Sequence, residues 1–531
     1  MSLVDEEAKD EAGPLQPVAP LKDVKHLDDF IKFGGYTYFV LVVAEFLCLS
    51  TLSHMVYMVF SGANPTVTGC GDTVFNDSDT ACAQLERLRN ETGCTPKVDY
   101  QFYSVNVDFD YLCGESKHVK NSISLQMAFV LIGAFIFGQC SDIYGRRKVL
   151  IVALAGTAIL TEITAYSPDL MYFTFLRCIT GLFAGGVNSV QGVFMVENIP
   201  RKHRMLINTV ITWSPNFIIF PVVAYFSYDW KTLSHVCAVI NLLACITLIF
   251  CYESPRFIIQ KGRIDEARRI ISAIRRKNGD NCEKVAEEVE EMLVHEQEEF
   301  LKANRRKKHT MYHILNTVTM FRWTATLCYG IMVTSLVNYG ILFNMEKLSG
   351  SLYLNNIFFG IIRWIMNVSV GVMDYYYEAL GRKLLNTVSE AFNIVALALV
   401  FVVYALSMHH EYANVVRLAS LGVSAMCAQV YLAKFMTATE LYPTAVRNLG
   451  CSALSISSRV GTIFGPILFY LGDMHLSLPY GTLAALVFID SICFIVNLPE
   501  TKNRKLENHL PPKKQKRRHS IVDRRPSIAE A

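Results

Sequence analysis

Charge is scarce in this chain. Of 531 residues, 18% are Asp, Glu, Lys or Arg, while 52% are hydrophobic. Soluble domains carry about 25% charged residues. The deficit sits in long apolar blocks, which excludes a purely soluble protein. Also missing are a cluster of metal ligands, a Gly-rich loop to cradle phosphate, and a nucleophile elbow. Their absence argues against an enzyme, a metal site or a bound cofactor, and the lack of a Walker-type loop argues against an ATP-driven pump. A net charge of +3 is uninformative as a total, though its distribution is useful, and no nucleic acid is expected as a partner. Residues 1–35 are polar and acidic, and the apolar block after Gly35 is too long for the h-region of a cleaved signal peptide. A retained N-terminal segment over 1–35 is therefore expected.

What the chain has is apolar runs. A helix needs about 20 mostly apolar residues to cross the hydrocarbon layer. Such runs lie at 36–60, 119–139, 149–166, 170–192, 206–227, 233–252, 321–343, 352–374, 383–406, 415–437, 450–471 and 478–498. They predict an all-α, multi-pass membrane protein with the lipid bilayer as its partner. Basic clusters at 146–148, 201–204, 305–308 and 513–518 fall on one predicted side. Positive charge beside span ends stays cytoplasmic, so both termini are expected inside. On the other side, loop 61–118 holds Cys70, Cys82, Cys94 and Cys113, with sequons at Asn76 and Asn90. Four cysteines facing an oxidising space imply two disulfides, with three pairings open. A glycosylated external loop favours the plasma membrane.

Three short patterns recur in the same order at matching span boundaries. Asp142-Ile143-Tyr144-Gly145-Arg146-Arg147 answers to Glu378-Ala379-Leu380-Gly381-Arg382-Lys383. Glu197-Asn198-Ile199-Pro200 answers to Glu440-Leu441-Tyr442-Pro443, and Glu253-Ser254 to Glu500-Thr501. Together they predict a duplicated architecture: a six-helix half over 36–252, a cytoplasmic linker over 253–320, a second half over 321–498, and a basic tail over 499–531. The linker has helical composition with acidic and basic blocks, and is expected as a solvated helix. Parallel halves of this kind are the architecture of alternating-access carriers. In each repeat glycine permits a tight turn, and the charges around it sit where helix ends part or close during a transport cycle. Asp142, Gly145, Arg146, Arg147, Glu197, Arg201, Arg204, Glu253 and Arg256 form the first gating set. Glu378, Gly381, Arg382, Glu440 and Arg447 form the second. Topology control by basic residues is the competing account.

Ionisable residues inside spans point to a substrate path, because an arginine at mid-membrane costs roughly 2.5–3.5 kcal/mol unless it meets water or a partner. Arg459 and Arg363 lie near the centres of the eleventh and eighth runs, and Glu45 midway along the first. A guanidinium binds a carboxylate in bidentate fashion. Glu45 is open to three roles: counter-ion to an arginine, proton or sodium site, or ligand for a cationic head. Tyr339 and Trp213 are aromatic candidates for the walls of such a site. Lys434 and Glu162 lie nearer span ends, where snorkelling is expected. In the tail, Ser520 and Ser527 each follow paired arginines, a pattern read by basophilic kinases. The same basic run suits contact with anionic lipid.

The stretch Gly138-Gln139-Cys140-Ser141-Asp142-Ile143-Tyr144-Gly145-Arg146-Arg147-Lys148 resembles the major facilitator signature between the second and third helices. Glu253-Ser254-Pro255-Arg256, then Gly262-Arg263 and Glu266-Ala267, resembles a stretch shared by sugar porters and organic ion transporters. The cysteine-bearing first loop and Glu440-Leu441-Tyr442-Pro443-Thr444-Ala445-Val446-Arg447-Asn448-Leu449-Gly450 resemble the organic cation/anion/carnitine transporter family. The resemblance spans about 30–500, with two departures: Tyr252 stands where the family usually has proline, and the loop has four cysteines where many members have six. It implies the major facilitator fold and a secondary carrier for a small organic ion. In that family the position matching Arg459 is an aspartate in cation-preferring members and an arginine in anion and carnitine carriers. The resemblance therefore leans to carboxylate-bearing anions or zwitterions, with organic cations as the alternative, and leaves a receptor-like scaffold as a further one.

Overall fold

The computed structural model describes residues 34–75, 80–198, 213–279, 287, 289–294, 318–377, 381–442 and 447–502. Among these, twelve long helices follow one another: α1 (Gly35–Ser61), α2 (Lys117–Tyr144), α3 (Arg146–Thr164), α4 (Leu170–Asn198), α5 (Trp213–Ser227), α6 (Trp230–Ile249), α7 (Val318–Leu342), α8 (Leu352–Tyr376), α9 (Arg382–Ala405), α10 (Ala413–Leu441), α11 (Arg447–Leu468) and α12 (Leu478–Asn497). Each coincides with one apolar run, as expected where the backbone must satisfy its own polar groups in lipid. Ten are long and apolar enough to cross a membrane. The two that fall short are α3, which opens on Arg146-Arg147-Lys148 and carries Glu162, and α5, whose described part is 15 residues.

The helices pack as two groups. In the first, α2 runs along α4, α3 lies against α4 and α6, and α1 against α6. In the second, α7 lies against α11, and α9 against α10 and α12. The groups meet where α5 crosses α8 and α2 crosses α11. Small residues set the closest approaches: a Cβ on Gly185 of α4 would collide with the carbonyl oxygen of Val130 on α2. At the seam between groups, Phe217 of α5 meets Phe359 of α8 edge to face with ring centroids 4.8 Å apart.

The loop between α1 and α2 is a small covalently tied unit. Strands β1 (Thr66–Cys70), β2 (Thr73–Val74) and β3 (Pro96–Asp99) form an antiparallel sheet in the order β2-β1-β3, with a helix over Ala81–Thr92 packed on β1. The disulfides are Cys70–Cys94 and Cys82–Cys113, which resolves the three open pairings. Asn90 is exposed near the end of the loop helix, whereas Asn76 lies outside the described residues.

Past α6, Ser254 caps the helix Pro255–Gln260 by accepting from the Phe257 amide at 3.3 Å. The next helix, Ile264–Lys277, is not the fully solvated linker expected. It buries Ile264, Ala267 and Ile271 with Phe257, Met292 and Leu293, while Arg268 bridges Asp265 at 2.8 Å and Glu290 at 2.5 Å. Charge-rich composition hid this apolar stripe. Arg201, Arg204, Glu378, Ser520 and Ser527 lie outside the described residues.

Candidate functional site

The repeated motifs build two cages at the end of the bundle that carries the linker. Gly145, between α2 and α3, has φ 113°, a region that favours glycine, and a Cβ there would collide with the Glu253 carboxylate. That carboxylate accepts the backbone N–H of Arg147 at 3.0 and 3.2 Å. Arg146, 8% exposed, donates to Asp142 at 2.5 Å, lies 3.6 Å from Glu197, and stands over the Phe257 ring at 5.2 Å. Arg256 is half-buried on the short helix that follows Glu253.

The second cage repeats the plan. Glu500 accepts the backbone N–H groups of Arg382 at 2.9 Å and Lys383 at 3.0 Å, and a Cβ on Gly381 would collide with it. Burial alone would raise the Glu500 pKa, but the N–H groups of Lys502, Lys383, Arg382 and Thr501 outweigh it and hold the carboxyl below its ordinary value. Arg382 donates to Glu440 at 3.2 Å and to Asp374 at 2.8 Å. Asp374 and Lys502, themselves paired at 3.0 Å, were not among the sequence candidates. Their signal was weak because Asp374 lies one turn before the motif position. Arg447 donates to the Tyr442 carbonyl at 3.3 Å.

The central candidates lie on helices that face each other across the two groups. Arg363 of α8 stands over the rings of Phe217 and Phe359 at 5.6 and 5.8 Å, and its Nε meets no acceptor among the described residues. One turn on, Asn367 donates to Ser214 of α5 at 3.2 Å and accepts from Gln429 of α10 at 2.6 Å. Arg459 of α11 is half-buried and forms no ion pair with a described residue. Its neighbour Ser458 is bonded to Tyr431 of α10 and Ser335 of α7. Glu45 accepts from Asn216 at 2.9 Å and pairs with neither arginine. Tyr339 is 9% exposed, stacks on Phe343 at 5.8 Å and donates to the Met55 sulfur across the seam at 3.6 Å. Trp213 is partly buried against the main apolar core.

Two buried clusters, each built around a cation, escaped the sequence reading. Arg177 of α4, 1% exposed, donates to Gln126 at 3.0 Å and to the His54 carbonyl at 3.1 Å, and covers the Tyr57 ring at 4.4 Å. Lys434, expected to snorkel, is fully buried instead. Its ammonium pairs with Asp490 of α12 and, at 2.9 Å, with Glu390 of α9. Distance from a span end does not tell which face of a helix a residue occupies. Glu162, by contrast, is half-exposed and lies 2.8 Å from His235.

Polar links between the groups gather at the end carrying the disulfide loop. Lys120 of α2 donates to the Phe343 carbonyl at 2.5 Å and pairs with Glu346 at 2.7 Å, with 6% and 8% exposure. Tyr470 donates to the Lys117 carbonyl at 3.0 Å, and Lys117 pairs with Asp473 at 2.6 Å. Gln101 accepts the Leu352 amide at 2.6 Å and donates to the Gly350 carbonyl at 3.1 Å. A cavity of about 110 Å³ there, lined by Asn64, Asp99, Gln101 and Glu346 among others, is well below the roughly 300 Å³ of a small-molecule pocket, and it lies away from the central arginines.

Residues 74–509 match the family described as "Sugar (and other) transporter". The chain is 29% identical over 432 residues to the "Organic cation transporter protein" of Drosophila melanogaster, covering 79% of this chain and 76% of that one. It is 26% identical over 448 residues to "Solute carrier family 22 member 6-A" of Xenopus laevis, covering 81% and 77%. Against human "Organic cation/carnitine transporter 2" it is 25% identical over 429 residues, covering 80% and 74%. Among solved structures it is similar to the xylose transporter XylE of E. coli in a partially occluded inward-open conformation. That likeness has a TM-score of 0.60 at 16% identity, covers 89% of this chain and 100% of the other, and bears on the fold alone.

Proposed function

Because this chain belongs to the sugar (and other) transporter family, and so is a multi-pass membrane transporter of the major facilitator fold rather than an enzyme, we propose that it is a secondary carrier for small organic ions bearing a carboxylate, anionic or zwitterionic. The observation that carries this reading is the pair of guanidinium groups in mid-span, Arg363 and Arg459, neither of which forms an ion pair with a described residue. A guanidinium at mid-span without a carboxylate is costly, and a substrate carboxylate supplies what each lacks. Glu45 on the opposite group, held by Asn216, suits the ammonium of a carnitine-like zwitterion. The names of the relatives, organic cation and carnitine transporters among them, support an organic ion as cargo and keep plain organic cations as the second reading.

In this account 36–252 and 321–498 are the two moving halves and 253–320 links them on the cytoplasmic side with both termini, in the plasma membrane. The disulfide loop is external, with Asn76 and Asn90 as glycan acceptors. The two cages lock the halves' cytoplasmic ends, and Tyr339 and Trp213 line the path between the halves. A sodium ion or proton is the coupling partner, and kinases act on Ser520 and Ser527 of the basic tail, which otherwise contacts anionic lipid. The test is uptake of labelled carnitine, an aromatic carboxylate and tetraethylammonium by cells expressing the chain, compared with Arg459→Ala. Loss of a charge-assisted contact is worth about 1.5–3 kcal/mol, so carboxylate uptake in the variant falls roughly tenfold or more. Uptake of tetraethylammonium alone, unchanged by the variant, refutes the carboxylate reading.

A further inference from the structure

The second half encloses a charge cluster that the proposed substrate path does not use. Lys434 of α10 is 0% exposed, Glu390 of α9 1% and Asp490 of α12 2%. With all three ionised the cluster carries a net charge of −1 in a site closed to water, and such a charge is expensive to hold there. One added proton makes the cluster neutral.

Hydrogen bonding points the same way. The ammonium has three protons, and its three neighbours are Asp490 Oδ2, Glu390 Oε1 at 2.9 Å and Thr334 Oγ1 at 3.4 Å. Among the described residues Asp490 Oδ1 and both Glu390 oxygens are buried without a hydrogen-bond donor, Glu390 Oε1 standing in ion-pair contact alone. The two carboxyls are within hydrogen-bonding reach of each other, so a proton on one is donated to the other. A metal cation fits poorly, because the Lys434 ammonium already occupies the position between the carboxylates. Around the cluster stand Tyr329 from α7, Cys427 from α10 and Cys493 from α12, with Arg363 of α8 beyond Cys427. None of these offers a second fixed positive charge in contact with the carboxylates.

We propose that Asp490 and Glu390, gathered about Lys434, hold one exchangeable proton, and that this proton makes the carrier's cycle depend on pH. This rests on the carrier reading above and names its coupling ion. The step is a bare proton transfer: hydronium gives a proton to a carboxylate oxygen, one O–H bond forms as another breaks, and no electrons change hands. A route to the substrate region is built into α10. Cys427, Tyr431 and Lys434 fall at i, i+4 and i+7, one stripe of the helix. Tyr431 bonds Ser458, next to Arg459, and Cys427 lies in electrostatic range of Arg363 and of the cluster. Movement of α10 or α11 on substrate binding therefore reaches the proton site.

The experiment is infrared difference titration of the purified full chain in lipid nanodiscs without substrate, in which a protonated carboxyl in an apolar site is told from ionised carboxylates by its carbonyl stretch. We expect a carboxylic-acid band that grows as pH falls, disappears in Asp490→Asn and shifts in Glu390→Gln. It should persist in Glu411→Gln, a change of an exposed carboxylate. If Asp490→Asn does not fold, Gly330→Ala serves: its methyl would lie 2.5 Å from Asp490 Oδ1 and 2.6 Å from Lys434 Nζ, so the pH at which the band titrates must move. No titrating band in the wild type, or a band unmoved by these variants, overturns the proposal. Because no substrate is present, failure of carboxylate uptake leaves this result standing, and loss of the band leaves the carboxylate reading standing. Uptake that keeps the same pH profile in Asp490→Asn overturns the coupling.

Discussion

Arg177 and Arg459 are both arginines inside helices, and their surroundings give them different work. Arg177 is wrapped by Gln126, the His54 carbonyl and the Tyr57 ring, all belonging to its own half. Its removal leaves the buried Gln126 side-chain oxygen without this donor, at about 1–3 kcal/mol, and uncovers the Tyr57 ring. Arg177→Met therefore lowers the thermal unfolding midpoint of the purified chain markedly. Arg459→Ala, which breaks no ion pair with a described residue, leaves the midpoint near wild type while carboxylate uptake falls. Gly185 belongs with Arg177 as a structural residue: a side chain there meets the Val130 carbonyl, and Gly185→Val costs about 1–3 kcal/mol through overpacking, read as the same loss of midpoint. Ion-bearing residues in spans thus sort by what surrounds them, which hydropathy does not reveal.

The cage around Glu500 and the tied loop between α1 and α2 are the elements with the clearest consequences. The Glu500 pKa lies below the ordinary 4.5, so its bonds to the α9 amides are fully present above that value and are lost as pH falls through the lower, folded one. Protection of the Arg382 and Lys383 amides from hydrogen exchange, taken relative to the intrinsic rate at each pH, accordingly holds down to about pH 4.5 and falls only below it, while Glu500→Gln lacks that protection already at neutral pH. In the loop, non-reducing peptide mapping should recover Cys70 with Cys94 and Cys82 with Cys113. Cys70→Ser then frees a thiol at Cys94 alone. The twelve helices and the repeated cages were legible because an uninterrupted apolar run and a Gly-Arg turn are local signals. The disulfide pairing, the apolar stripe of Ile264–Lys277 and the Asp374 partner of Arg382 were not. The pairing depends on chain segments brought together from a distance, as does the Lys434 cluster, whose three residues come from three helices. The stripe is helically spaced but masked by charge, and Asp374 lies outside the repeated motif.

At the scale of the whole molecule, the polar links at the disulfide-loop end describe a carrier closed on that side. The Lys120–Glu346 pair is buried on both sides, and removing one partner of such a pair costs roughly 3–5 kcal/mol. Lys120→Met should therefore favour opening at that end, raising the labelling rate of a cysteine placed near Asn121 by an impermeant thiol reagent. The exchanged pair Lys120→Glu with Glu346→Lys should return the rate towards wild type. Closure at one end and cages at the other are the two devices an alternating-access cycle needs, with the substrate site proposed above, at Arg363 and Arg459, between them. The most direct measurement of that claim is counterflow in proteoliposomes: the purified chain exchanges a labelled aromatic carboxylate against an internal pool of the same compound. The account predicts saturable, trans-stimulated exchange that Arg459→Ala and Arg363→Ala each reduce at least about tenfold, with Arg459→Lys also impaired because bidentate recognition is lost. Exchange that survives both alanine variants would contradict it and place the carboxylate elsewhere.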